Sequence, residues 1–104
     1  MGLIAIIGGT GVCDPKILSN VREGYMDTYY GSIRYWKGTY QNRDLIFLAR
    51  HGRMHSIPPP LLNYRANILG LKRLGVTAIL ATTAVGSMNP DQKPGDFVLP
   101  DQFI

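Results

Sequence analysis

Three short polar segments, each following an apolar run, hold the residues of this chain best suited to chemistry. They are Gly8-Gly9-Thr10-Gly11, Arg50-His51-Gly52-Arg53 and Thr82-Thr83-Ala84-Val85-Gly86-Ser87. Together they offer backbone N–H groups, threonine hydroxyls, a guanidinium and an imidazole. That inventory suits a tetrahedral oxyanion. Successive N–H groups form anion-binding nests, hydroxyls donate single hydrogen bonds, and arginine makes a planar two-pronged contact. Each segment also has a plainer reading. A glycine-rich turn supplies positive φ, an arginine after a strand can simply be solvated, and paired threonines can finish a β-branched strand. The recurrence of such groups at three strand ends is what favours an anion site, because ligands of open α/β sheets sit at the carboxyl ends of the strands.

Other chemistries fit less well. His51 and His55 share a segment with no acidic or cysteine partner nearby, so no metal is expected. Gly9-Thr10-Gly11 opens a dinucleotide-like fingerprint, but Asp14 stands where its third glycine belongs. Neither a glycine-lysine-serine/threonine loop nor a G-x-S-x-G elbow occurs. The formal charge is +4, yet the basic residues are dispersed, so a nucleic-acid partner is not expected. No apolar run approaches the roughly 18–20 residues that span a bilayer, and no membrane partner is expected. The start of the chain lacks a basic segment of the secretory type. The single Cys13 cannot form an intrachain disulfide, which fits a reducing compartment and a cytoplasmic location.

The elements that must position these segments follow from hydrophobic pattern. Residues 3–7 are a continuous apolar run, the pattern of a strand buried on both faces. Asp14-Pro15 begins a helical turn through Leu18, with Asp14 as N-cap and Pro15 in the first helical position. Residues 25–30 and 32–36 read as a hairpin about Gly31, residues 42–44 as a turn, and 45–49 as a second core strand. After Pro58-Pro59-Pro60 the spacing turns helical, with Leu61, Tyr64, Ile68, Leu71 and Leu74 on one stripe and Gly75 as the stop. Residues 76–83 are a third core strand, and 97–99 a last apolar stretch. Strand, helix and strand in this order make a βαβ unit, so the fold class is α/β with a largely parallel or mixed sheet. Three core strands and one long helix leave a sheet face poorly covered, and residues 1–104 read as one incomplete domain.

These residues resemble the methylthioadenosine phosphorylase and trimeric purine nucleoside phosphorylase family. The likeness runs in order through Ile7-Gly8-Gly9-Thr10-Gly11, Arg50-His51-Gly52-Arg53 with His55, Ile57-Pro58-Pro59 and Asn63-Tyr64-Arg65-Ala66-Asn67-Ile68. It continues through Ala81-Thr82-Thr83-Ala84-Val85-Gly86-Ser87, Pro94-Gly95-Asp96-Phe97 and Asp101-Gln102-Phe103-Ile104. The resemblance implies a mixed sheet flanked by helices, present here as its N-terminal part. It implies phosphorolysis of a purine nucleoside to free base and ribose-1-phosphate or its 5-methylthio analogue. Inorganic phosphate would be co-substrate, no metal or organic cofactor would take part, and the complete protein would be a trimer or hexamer. By the same resemblance Thr10, Arg50, His51, Thr83 and Ala84 hold phosphate, and His55 lies near the 5′ end of the substrate.

Pro60 stands where many relatives have histidine. Family members are more than twice this length, so the residue that assists departure of the base is expected beyond Ile104. The chain alone is expected to be inactive; the alternative role is an anion-binding or assembly fragment. Arg50-His51-Gly52-Arg53 leans toward the methylthioadenosine branch.

Overall fold

The computed structural model describes residues 2–8, 14–49 and 63–102. They form five strands and one α-helix: β1 (Leu3–Gly8), β2 (Ser19–Thr28), β3 (Gly31–Tyr40), β4 (Arg43–Ala49), α1 (Tyr64–Arg73) and β5 (Val76–Ala81), with a 3-10 turn at Pro15–Ile17. The sheet is mixed, in the order β2-β3-β4-β1-β5. β1 runs parallel to both β4 and β5, whereas β2–β3 and β3–β4 are antiparallel.

Alternation along the three parallel strands divides the core in two. One face carries Ala5, Ile7, Ile33, Ile46 and Leu48, packed on Ala66 and Leu71 of α1. The other carries Leu45 and Phe47, packed on Leu18 with Ile4, Ile6 and Trp36 at the margin. Leu18 reaches that face because the 3-10 turn delivers it there. Asp14 accepts a hydrogen bond from the Lys16 N–H, and Pro15 opens the turn, as expected from sequence. Gly38 permits the approach, since a Cβ there would lie 2.8 Å from the Leu18 Cβ and 2.9 Å from the Ser19 carbonyl.

The helix departs only in part from its expected orientation, since Leu71 is fully buried and Leu74 packs against the core as expected. Tyr64 and Ile68, assigned to the apolar stripe, are each more than half exposed, and the buried positions are Ala66, Gly70 and Leu71. Small residues at 66 and 70 let the helix backbone sit close to the sheet, and this outweighs the larger area that Tyr64 and Ile68 offer. Gly75 stops the helix at φ +87, the left-handed conformation favoured after a C-cap. The strands also differ in extent from the pattern. β2 and β3 are ten residues each, and β4 begins at Arg43 instead of after Asp44. The β3–β4 turn is confined to Gln41 and Asn42, both at positive φ, as a two-residue hairpin connection requires. β5 ends at Ala81, two residues before the expected end, and lies largely exposed at the edge of the described sheet, where a core strand was expected.

Candidate functional site

Strand register brings the three strand ends that precede the polar segments to one end of the sheet. Gly8 pairs with Ala49, and Ile7 pairs with Ala81, so the last residues of β1, β4 and β5 stand side by side. The Thr82 N–H donates to the Ile7 carbonyl at 3.0 Å, which carries the β1–β5 pairing one residue past the strand. Thr83 and Ala84 follow at once, exposed and outside any strand or helix. The Thr82 hydroxyl is buried at the base of this turn. Of the residues assigned to phosphate from sequence, Thr83 and Ala84 are therefore seen directly. Thr10, Arg50, His51 and His55 lie outside the described residues. In sequence, Thr10 follows Gly8 by two residues and Arg50 follows Ala49 directly.

Two further elements reach this end. Trp36 pairs with Phe47, so β3 overhangs the end of β4 by three residues toward Gly31. At about 3.3 Å per residue that overhang is roughly 10 Å. At the hairpin tip Tyr29 and Tyr30 meet edge to face, their ring centroids 5.4 Å apart, and Tyr29 is 89% exposed. The N-terminus of α1 adjoins the tip, with the Asn63 Nδ2 donating to the Tyr30 carbonyl at 2.7 Å and its Oδ1 accepting from the Ala66 N–H at 3.1 Å. The Arg65 guanidinium lies 5.6 Å from the centre of the Tyr30 ring, within cation–π range. Sequence reasoning had noted Asn63 only as part of a motif. The available signal was an asparagine just ahead of an amphipathic run, the usual N-cap pattern.

Electrostatics on the hairpin are local. On the side of the ribbon opposite α1, Arg34 binds Glu23 at 2.5 Å and lies 5.5 Å from the centre of the Tyr25 ring. The hydrogen bond to Glu23, with its charge, holds the Arg34 guanidinium above its ordinary value. This pair bridges β2 and β3.

Parallel strands that end side by side, with a crossover helix starting at that end, put the candidate site at the edge where ligands of α/β sheets bind. A sequence profile described as the Phosphorylase superfamily matches residues 3–104, and the chain belongs to that family. It is 55% identical over 104 residues to a probable 6-oxopurine nucleoside phosphorylase of Thermococcus kodakarensis, covering all of this chain and 39% of that protein. It is 52% identical over 103 residues to an S-methyl-5′-thioadenosine phosphorylase of Hyperthermus butylicus, covering 97% of this chain and 38% of that one. Among solved structures, a double mutant of the adenosine/methylthioadenosine phosphorylase of Schistosoma mansoni in complex with adenine superposes with a TM-score of 0.83. The sequences are 43% identical, over 92% of this chain and 34% of that one. The chain thus spans about two fifths of the curated relatives it matches.

Proposed function

We propose that residues 1–104 form the N-terminal part of a nucleoside phosphorylase domain and supply its phosphate subsite. The domain cleaves the N-glycosidic bond of a purine nucleoside with inorganic phosphate, releasing the base and ribose-1-phosphate or its 5-methylthio analogue. The observation that supports this reading is the register of Gly8, Ala49 and Ala81, which sets side by side the ends of the three strands that the anion-suited segments follow in sequence. Thr10 and Thr83 donate hydroxyls, Arg50 and His51 supply charge and hydrogen bonds, and Ala84 donates its backbone N–H. His55 borders the 5′ end of the sugar.

The chemistry follows from that placement. Departure of the base leaves an oxocarbenium-like sugar. A phosphate fixed below C1′ stabilises the growing positive charge and already stands where it must attack. Phosphate is a co-substrate here, and the reaction calls on no other cofactor. Residues that grip the base belong to the remaining three fifths of the relatives' length, so the chain alone binds phosphate without turning over nucleoside. The complete protein assembles as a trimer or a hexamer.

The test pairs two measurements. Titration of the 104-residue chain with inorganic phosphate, followed by calorimetry, should show saturable binding that Arg50→Ala abolishes. A polypeptide of the relatives' full length carrying these residues should cleave methylthioadenosine, methylthioinosine or inosine only when phosphate is present. Phosphate-independent cleavage, or binding indifferent to Arg50, would sink the assignment.

A further inference from the structure

Asn63 sits where the β2–β3 hairpin meets α1, and its side chain works in two directions. The Oδ1 accepts from the Ala66 N–H at 3.1 Å, satisfying one of the open donors of the first helical turn. The Nδ2 donates to the Tyr30 carbonyl at 2.7 Å, across thirty-three positions of sequence. The turn is shaped to receive it. Gly31 takes φ +128, and a Cβ there would lie 3.1 Å from the Asn63 Nδ2. Thr28 braces the turn from inside, its hydroxyl donating to the Gly31 carbonyl at 2.5 Å and accepting from the Tyr30 N–H at 3.2 Å. Farther along the helix, Arg73 donates to the Asp27 carbonyl at 3.1 Å.

We propose that Asn63 is a positioning residue whose amide ties the tyrosine-bearing hairpin tip to the first turn of α1, so that both are held as one body beside the strand ends. The residue type argues for this. Aspartate or serine would cap the helix equally well, but among these only the amide carries its acceptor and its donor on separate atoms, one for each partner. In aspartate the second oxygen would face the Tyr30 carbonyl, acceptor against acceptor. The functional consequence rests on the phosphate reading above. A loosened tip and helix start would let the edge that receives phosphate relax.

Amide hydrogen exchange on the 104-residue chain, with inorganic phosphate titrations in parallel, tests the tie. In Asn63→Asp the Ala66 amide should stay protected, while the Tyr30 and Gly31 amides exchange about tenfold faster, as loss of a single hydrogen bond allows. The apparent Kd for phosphate should rise about three- to tenfold. Asn63→Ser keeps a cap without the opposing oxygen and should move both readouts in the same direction by less. Unchanged exchange at the tip in Asn63→Asp would overturn the proposal, as would a loosened tip with unaltered phosphate affinity. Equal loss of protection at Ala66 and at the tip would also overturn it, by reducing Asn63 to a cap. If the unsubstituted chain binds no phosphate, the phosphate reading falls, and the exchange data alone still support or overturn the tie.

Discussion

Gly70 is where the docking of α1 is most tightly constrained. A Cβ there would fall on the Ile33 Cδ1 and 2.8 Å from its Cγ1, and Ile33 is a buried member of the larger core cluster. Gly70→Ala therefore sets two effects against each other. Alanine in a helix interior gains up to about 1 kcal/mol over glycine. Forcing a methyl group into a packed core costs about 1–3 kcal/mol. The overlap is with a buried side chain lying between helix and sheet, so the second effect should win, with a net loss of about 1 kcal/mol. For a domain of this size that lowers the melting temperature by roughly 4–8 °C. Ile33→Val removes the nearer of the two overlapping atoms, Cδ1, and by itself costs about 0.5–1.5 kcal/mol. Combined, the two changes should cost less than their sum by about 1 kcal/mol, because the valine makes room for the alanine. Urea unfolding of the four proteins, followed by circular dichroism, measures the coupling. Additivity to within about 0.3–0.5 kcal/mol would refute the argument, since independent sites behave that way. So would a Gly70→Ala chain more stable than the original.

Thr83→Val keeps shape and removes the hydroxyl; phosphate affinity measured by calorimetry should fall about tenfold, the value of roughly one hydrogen bond to a charged group. Because Thr83 is exposed, the melting temperature should not move. Gly75→Ala places a Cβ on a residue at φ +87 with open space around it, so the cost is conformational. About 1 kcal/mol of stability should be lost in denaturant titration. β5 forms one edge of the sheet among the described residues and has no charged side chain, and Leu80 on it is 59% exposed. Leu80→Lys should leave stability within about 0.5 kcal/mol. It should also reduce concentration-dependent association in sedimentation, because a charge blunts an open edge.

How far the fold could be read from sequence depended on whether local chemistry or tertiary packing decided each element. Asp14-Pro15 and Gly75 act locally, through a capping side chain and through their own backbone conformations, and both behave as their types require. β1 and β4 announce themselves as apolar runs because both of their faces join the core, whereas β5 carries the same pattern while largely exposed at the sheet edge. The orientation of α1 could not be read this way. Periodicity ranks residues by apolar area and so selected Tyr64 and Ile68, whereas the sheet admits the helix only along Ala66 and Gly70, where the backbones come close. The hairpin strands ran longer than expected for a related reason. Arg22, Glu23, Arg34 and Lys37 break the apolar pattern, yet a solvated two-stranded ribbon accommodates them, with Glu23 and Arg34 paired across it.

The candidate site divides along the same line. That glycine, threonine and arginine follow three strands is a fact of sequence, but that the strands end together is a fact of register. Three apolar runs would equally permit the segments to leave from opposite ends. Parallel pairing of β1 with both β4 and β5 removes that freedom, because each connection must return the chain to the same starting edge. The helix that makes the β4–β5 return then has to start at the carboxyl end of the sheet. Asn63 comes to the hairpin tip through this constraint, and a residue noted in sequence only within a motif caps α1 and gains a second partner thirty-three positions away. The parts of a site that come from residue type can thus be read early, while the parts that come from two elements meeting appear only when topology is known.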